Sequence, residues 1–236
     1  MFRHSLRTAA FAALLAAAGS PLASAGAIEP FTADYSAHYM GLQATGRMTL
    51  APAGDNTWKY SLEVTGAGAR LAQSTLFEAE GDRWRPLSGS DSQGGESGLA
   101  AMLVKKRTIN ATYDWDAGRA TWDGDVKADR RGPVTLQPGD VDGMLMNLAL
   151  VRDFHAGRPL SYRLVEDGRV KRQVFRPAGT ETIDVAGRSQ RATKVTWKDD
   201  DRSITAWIVD GLPVPARILQ QRGGRDHIDL QLKSLR

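Results

Sequence analysis

Residues 140–155 read DVDGMLMNLALVRDFH, and they are the one stretch after the N-terminal leader in which apolar residues follow a helical period. The apolar residues recur three and four positions apart, which is the spacing of a buried helix face. The residues of this regular stripe are Val141, Met144, Leu145, Leu148 and Val151. Further apolar residues widen the face, so the sequence predicts a helix that other elements must surround.

Both ends of this helix are marked in the sequence. Residues 138–139 are Pro-Gly, which breaks the chain, and Asp140 is predicted to cap the first free amides. Gly157 is predicted to end the helix. Arg152 and His155 lie in its last turn, where cations suit the negative end of the helix dipole. The helix is therefore expected at about 140–155.

Almost all other segments alternate apolar and polar residues with period two, as half-buried strands do. Asp167-Gly168 separates two such segments and is the strongest hairpin signal in the chain. We therefore predict a mainly β fold, in which a curved antiparallel sheet or incomplete β-barrel wraps around one central amphipathic helix. Residues 26–236 are expected to form a single β-rich domain, with two antiparallel meanders joined by the helix.

Residues 88–98 contain the least regular sequence, SGSDSQGGESG. Nothing after it resembles the Gly-Lys-Ser ending of a phosphate-binding loop. A mobile surface loop is the expectation for this segment, and a flexible lid is the alternative.

Residues 1–25 have the form of a secretory signal, with two arginines, a short Ala/Leu-rich core and the ending Ala23-Ser24-Ala25. Cleavage is expected after Ala25. The apolar core is too short to span a bilayer, and no other segment approaches spanning length. The sequence contains no cysteine, which excludes structural disulfides and a lipid-modified cysteine. We therefore predict a periplasmic protein without a transmembrane segment in its mature chain.

Charge argues against nucleic acid as a partner. Removing the signal leaves 29 basic and 27 acidic residues, a net charge of about +2. A chain this balanced lacks the basic excess that binding to a phosphate backbone requires.

Local catalytic motifs are missing from the sequence. The three histidines of the mature chain, His38, His155 and His227, lie far apart and form no metal-ligand spacing. No cofactor motif and no nucleophile elbow are present, so no cofactor, metal or catalytic residue is assigned. A pair of carboxylates from separate strands leaves no local motif, and a hydrolase of that kind stays open.

The order of several scattered residues resembles a known family. These residues are Tyr113-Asp114, the helix led by Asp140, Glu181, Gly187, Lys194-Val195, Arg202, Trp207, Leu212-Pro213 and Arg217-Ile218. Their order is similar to that in the bacterial family catalogued as domain of unknown function 3108. The resemblance implies an exported envelope protein of Gram-negative bacteria, and it transfers no catalytic residue.

Three functions follow as hypotheses. In the first, the protein binds a hydrophobic or amphiphilic, lipid-like ligand without catalysis, in a cavity between sheet and helix lined by Met144, Leu145, Leu148 and Trp207. In the second, the helix only fills the core, and the protein meets an envelope protein or anionic lipid through strand edges or the cations of 169–172. The third is the carboxylate-pair hydrolase.

Overall fold

The chain is mostly β-structure arranged around one long helix. The computed structural model describes residues 28–39, 41–98 and 100–236, so the predicted signal peptide lies outside the described residues. The strands are, in chain order, β1 (Phe31–Tyr39), β2 (Leu42–Gly54), β3 (Thr57–Gly66), β4 (Ala69–Glu80), β5 (Arg83–Gly95), β6 (Arg107–Asp114), β7 (Arg119–Gly124), β8 (Val134–Thr135), β9 (Asp140–Val141), β10 (Ser161–Glu166), β11 (Arg169–Val174), β12 (Arg176–Val185), β13 (Arg188–Lys198), β14 (Arg202–Ile208), β15 (Arg217–Arg222) and β16 (Arg225–Leu235). The α-helices are α1 (Ala100–Leu103) and α2 (Gly143–His155).

Thirteen of the described strands form one antiparallel sheet. Its order is β12-β13-β14-β15-β16-β1-β2-β3-β4-β5-β6-β7-β8. The pairing of β1 with β16 joins the first group of strands, β1–β8, to the last group, β12–β16. β12 and β8 are the two edges, so the sheet is open. The predicted mainly β fold with an open antiparallel sheet around one helix is confirmed.

The other three strands form a small sheet in the order β11-β10-β9. β10 pairs antiparallel with β11 across the predicted Asp167-Gly168 turn, and it pairs parallel with β9. The Tyr113 hydroxyl of β6 donates a hydrogen bond to the Val165 carbonyl of β10 at 2.9 Å. Both residues belong to a separate cluster of buried apolar side chains, which anchors the small sheet on the large one.

α2 packs against both sheets, with contacts to β3, β4, β9 and β10. Its buried apolar residues are Met144, Leu145, Met146, Leu148, Ala149, Leu150 and Val151. Asp153 is buried as well, and its carboxylate accepts hydrogen bonds from the Tyr162 hydroxyl at 3.0 Å and from Arg158 Nε at 2.9 Å. A helix with buried side chains all around its axis agrees with the wide apolar face of the sequence.

The helix begins later than the sequence predicts. Asp142 is the N-cap, and its Oδ1 accepts a hydrogen bond from the Leu145 N–H at 2.8 Å. Asp140 lies instead in β9, where its carboxylate pairs with Arg163 of β10. The prediction that Asp140 caps the helix is wrong, because a parallel strand pairing and a distant arginine hold it outside α2. Neither interaction is visible in the local spacing of residues.

The expectation of a mobile loop at 88–98 is also wrong for most of that segment. Residues 88–95 continue β5, paired with β4 on one side and, through residue 93, with β6 on the other. Small polar residues have low intrinsic strand preference, but two paired neighbours override that preference. Glycine within a strand often marks a close approach by another part of the chain. The close approach here is the start of α2.

Candidate functional site

A cleft with a volume of about 200 Å³ lies at the N-terminal end of α2. It is bordered by β4, β5, β6 and β7 of the large sheet and by the end of β10. Its lining combines apolar and acidic residues. The apolar lining residues are Ile109, Ala111, Tyr113, Trp122 and Met144. The acidic lining residues are Asp91, Asp142, Glu166 and Asp167.

Small residues on adjacent strands make the floor of the cleft. Gly89 of β5 lies opposite Ala111 of β6, and Ala111 lies opposite Trp122 of β7. A Cβ atom built on Gly89 would stand 3.4 Å from Asp142 Oδ2. The missing side chain therefore lets the N-terminus of α2 approach the sheet and leaves space beside Trp122.

Glu166 covers the first residue of α2. A Cβ atom on Gly143 would stand 2.6 Å from Glu166 Oε1, closer than real Cβ atoms come to other atoms. The Glu166 carboxylate thus occupies the place of a side chain at position 143. Negative charge is favourable at a helix N-terminus, where the amide dipoles point toward it. Two carboxylates, Asp142 and Glu166, therefore meet at one helix end.

The other two acids of the cleft have polar partners. Asp167 follows Glu166, and both of its carboxylate oxygens lie 3.3 Å from an Arg107 guanidinium nitrogen. Asp91 Oδ2 accepts a hydrogen bond from Gln73 Nε2 at 3.3 Å across the β4–β5 pair. Arg107 and Gln73 therefore fix the orientation of two carboxylates at the cleft.

Asp91, Asp142 and Glu166 bind protons more tightly than usual. Burial raises the pKa of Asp142 from 3.8 to about 6, against the opposing effect of the Leu145 N–H. Burial, followed by the Asp142, Asp167 and Asp91 charges, raises the pKa of Glu166 from 4.5 to about 7. Burial also raises the pKa of Asp91. Asp142 and Glu166 therefore keep their protons to a higher pH than free carboxyl groups do.

This arrangement can attract a cation and can exchange protons near neutral pH. Trp122 and Ile109 lie beside the acids, but Glu166 is exposed, so solvent would partly screen the attraction of an incoming positive charge. Among the described residues, no group of three or more His, Asp or Glu side chains is arranged to hold a metal ion.

Three of the four residues assigned to a ligand cavity from sequence lie on α2. Met144 lines the cleft. Leu145 and Leu148 belong to the main apolar core, with 0% and 4% of their surfaces exposed. The structure therefore brings one of these three residues to the cleft.

The fourth residue, Trp207, lies on β14 away from the cleft. Its register partners are Lys194 and Arg217, and alternation along the strand places it on the face opposite to Ala206. Its indole N–H donates to the Glu181 carboxylate, and the Arg217 guanidinium carbon stands 4.6 Å from the ring centroid. Trp207 is buried in the main apolar core, and Glu181 and Arg217 are its polar neighbours.

Sequence reasoning missed the acids of the cleft. Asp91 falls within the segment expected to be a loop, and Glu166 was read only as a hairpin residue. The available signal was the run of small residues around Gly89, since a glycine-rich strand marks a close approach. That signal indicates where on the sheet another segment of the chain comes close, but it does not indicate which segment.

The fold and the cleft define a class of β-proteins in which an open antiparallel sheet surrounds one helix and leaves a small cleft at the helix N-terminus. The chain belongs to the family described as protein of unknown function DUF3108, whose family model matches residues 34–223. The resemblance inferred from the order of scattered residues is thereby confirmed. A comparison with curated protein sequences finds no match.

Similar folds occur among solved structures. The β-barrel-like protein of domain of unknown function DUF1849 from Brucella abortus is 11% identical, with a TM-score of 0.50 over 87% of this chain and 96% of that one. MucB is 15% identical with a TM-score of 0.36, over 88% of this chain and 52% of that one. The MucA/MucB complex of Pseudomonas aeruginosa gives 13% identity and a TM-score of 0.37, over 88% of this chain and 51% of that one. This chain thus spans about half the length of the MucB chains. Within the described part of this protein, no helix has the length and apolarity needed to cross a bilayer.

Proposed function

We propose that this protein is an exported, periplasmic binding protein without catalytic activity, and that its ligand is a small amphiphile with a cationic head. Residues 1–25 are the signal peptide in this proposal, and 26–236 are one β-rich domain. The head group lies against Asp91, Asp142 and Glu166, and the apolar part rests on Trp122 and Met144.

The combination of apolar and acidic residues in the lining of the cleft is the observation that supports this proposal. Trp122 and Met144 provide apolar contact, while Asp142 and Glu166 provide negative charge at the same helix end. Ligand sites are typically apolar cavities with a few convergent polar groups and perturbed pKa values. The raised pKa values of Asp142 and Glu166 match that description.

The size of the cleft restricts the ligand. An engineered cavity of about 150 Å³ in another protein holds benzene, so about 200 Å³ accepts a group of similar or slightly larger size. A second, apolar cavity near Ala44, Val64 and Leu71 measures about 20 Å³ and has room for little more than a water molecule. A long acyl chain would have to displace α2, and we therefore propose a short or only partly inserted apolar group.

The expected affinity is modest. Six buried carbon groups contribute about 5 kcal/mol, at about 0.8 kcal/mol each, before the costs of ordering the ligand. Attraction between the head group and the acids adds to this sum. Dissociation constants between about 10 μM and a few millimolar are expected.

Binding of hexylamine, hexanoate and hexanol to the mature protein tests the charge preference. Titration calorimetry at pH 7.5 should give the tightest binding for hexylamine. The alkylamine stays protonated through the physiological range, whereas Glu166 and Asp142 lose protons between about pH 5.5 and 8. Hexylamine binding should therefore strengthen with rising pH. Equal affinity for the amine and the carboxylate would overturn the proposal.

Two matched pairs of variants locate the site. Met144→Trp fills the cleft and should abolish hexylamine binding, whereas Met102→Trp changes a residue that is 84% exposed and should have no effect. Glu166→Gln should weaken amine binding by removing a charge, and the exposed Asp116→Asn should not. Unchanged binding in Met144→Trp would place the ligand elsewhere.

Purification of the protein from its native cells tests the proposed periplasmic location and identifies any ligand that is bound there. Native mass spectrometry of protein purified from the periplasm, followed by denaturing extraction, should show a stoichiometric small amphiphile and an N-terminus at residue 26. A protein retained in the cytoplasm with an intact N-terminus would contradict the proposed export.

A carboxylate-pair hydrolase is the second candidate. It is favoured by the raised pKa values of two carboxyl groups, Asp142 and Glu166, that meet at one helix end. Such an enzyme should release reducing ends from cell-wall glycan and lose that activity in Glu166→Gln. Binding of hexylamine without any turnover would support the first candidate.

A further inference from the structure

We infer that the free edge of β11 is a docking site for an extended, acidic segment of a partner protein, which adds to the small sheet as a fourth strand. This site is separate from the proposed amphiphile cleft. Main-chain hydrogen bonds would provide the attachment, and carboxylates of the partner would pair with arginines of β11.

β11 has one paired side and one unpaired side. All six of its residues pair in register with β10, and β11 is the last strand of the small sheet. Over the described residues, the backbone hydrogen bonds outside regular elements involve no residue of 169–174. An edge of this kind presents unpaired N–H and C=O groups to solvent.

The other sheet edges are less suitable for strand addition. β12 carries Pro177, and its register with β13 shifts between Pro177 and Thr180, so its unbroken ladder is limited to residues 180–185. β8 is only two residues long. The 180–185 ladder of β12 is as long as that of β11, but its Glu181 and Asp184 would repel an acidic partner. The short edge strands β8 and β9 resist pairing with another strand.

The side chains of β11 favour an acidic partner. Val170, Arg172 and Val174 share one face by alternation, and the two valines are 43% and 38% exposed. Arg172 is exposed, and the carboxylates nearby pair with other arginines: Asp140 with Arg163, and Asp167 with Arg107. Arg172 forms no salt bridge with any of the described residues. A partner carboxylate would therefore meet an available guanidinium between two apolar contacts.

The unpaired backbone groups of β11 favour a peptide over a membrane as the binding partner. An anionic bilayer could neutralise the arginines, but it offers no row of amide groups to pair with the backbone. An extended peptide satisfies both the charges and the backbone. Arginine also pairs with carboxylates through two parallel hydrogen bonds, which gives geometric specificity.

Fluorescence anisotropy with full-length mature protein tests this inference. The probe is a labelled peptide of about nine residues, long enough to cover β11. Valine, glutamate and valine alternate on the face toward Val170, Arg172 and Val174, and glutamates occupy the other face. One control peptide has the same charge but carries prolines at its centre, and a second replaces glutamate with lysine. The alternating acidic peptide should bind at least about tenfold more tightly than either control.

Amide hydrogen exchange then locates the peptide. Exchange within 169–174 should slow by about tenfold or more when the acidic peptide is bound, because new hydrogen bonds protect the edge. Arg172→Glu should weaken peptide binding by about tenfold. Arg188→Glu is the matched control, because it reverses an exposed charge beside the far end of β12 and should have no effect.

Three outcomes would overturn the inference. Equal binding of the proline-containing peptide would show simple charge attraction without strand addition. Binding to phosphatidylglycerol vesicles, without protection of β11 amides by the peptide, would make the surface a membrane contact. No binding to any of these probes would mean that the arginines only protect the edge from aggregation.

Discussion

Glu166 has a pKa of about 7, raised from 4.5. Its side chain therefore keeps a proton to a higher pH in the folded protein than in the unfolded chain. The free energy of unfolding contributed by this residue therefore falls as the pH rises from about 4.5 through 7, and it is constant above that range. Glu166→Gln removes the charge. The variant should be more stable than the wild type at pH 8 and similar to it at pH 4.5. The shift corresponds to at most about 3 kcal/mol, and because the side chain is open to solvent in the cleft, we expect about 1 kcal/mol.

Urea unfolding at both pH values measures this difference. Asp116→Asn, which removes an exposed carboxylate in a turn, is the control. It should change the free energy of unfolding by a similarly small amount at pH 4.5 and pH 8. A Glu166→Gln variant that is not stabilised at pH 8 would contradict the assignment of Glu166 as a destabilising charge.

Asp142 has two opposing effects, which different substitutions separate. Its Oδ1 caps α2, while its burial makes the charge unfavourable. Asparagine keeps an oxygen that can accept the Leu145 N–H, whereas alanine does not. At pH 8, Asp142→Asn should be more stable than Asp142→Ala by about 1 kcal/mol, the usual value of an N-cap. Thermal unfolding of both variants measures the difference, and equal stabilities would show that the cap contributes nothing.

Single residues of the site were the hardest feature to predict. Met144 was assigned because methionine on an apolar helix suits a cavity, and it does line the cleft. Leu145 has the same helical pattern but points into the core, and the pattern cannot distinguish the two environments. Glu166 reaches α2 only because β10 pairs with β9 and places its end beside Gly143. That placement depends on tertiary structure.

Helix α2 is the element whose packing stabilises the core most directly. Leu145 has no exposed surface, and Leu145→Ala should cost about 2–5 kcal/mol of stability because it leaves a cavity. Asn147→Ala, at a half-buried polar position of the same helix, should change stability by less than about 1 kcal/mol. Chemical unfolding monitored by circular dichroism compares the two. A small loss for Leu145→Ala, together with tighter hexylamine binding, would instead place Leu145 in the ligand cavity.

Elements were predicted well wherever local pattern determines them. The Asp167-Gly168 turn has positive φ angles of 53° and 67°, as a tight hairpin requires, and Gly157 ends α2 with a φ of 65°. The start of α2 was misplaced because Asp140 pairs with Arg163. Residues 88–95 were misread because pairing on both sides outweighs the weak strand preference of glycine and serine. The errors thus occur where long-range pairing determines the conformation.

The order of the strands in the large sheet cannot be predicted from the pattern of apolar and polar residues. β1 and β16 are adjacent although Ala33 and Leu235 are about 200 residues apart in sequence. Period-two alternation predicts that these segments are strands, but it carries no information about which strands pair. Closing so long a loop is entropically costly, so the pairing must be stabilised by the side chains that it buries.

The β1–β16 pairing leads to a prediction for the whole molecule. β16 lies between β15 and β1, and its Leu230 and Leu232 are each 2% exposed. Removing residues 225–236 would therefore separate the two strand groups and expose the apolar core between them. The truncated protein should lose its cooperative thermal transition, as measured by circular dichroism and calorimetry. A synthetic peptide of residues 225–236 should restore the transition by pairing with both free strands, whereas the same peptide with Leu230→Asp should not, because the buried carboxylate would lack a partner. A truncated protein that unfolds as cooperatively as the full chain would show that the two strand groups fold independently.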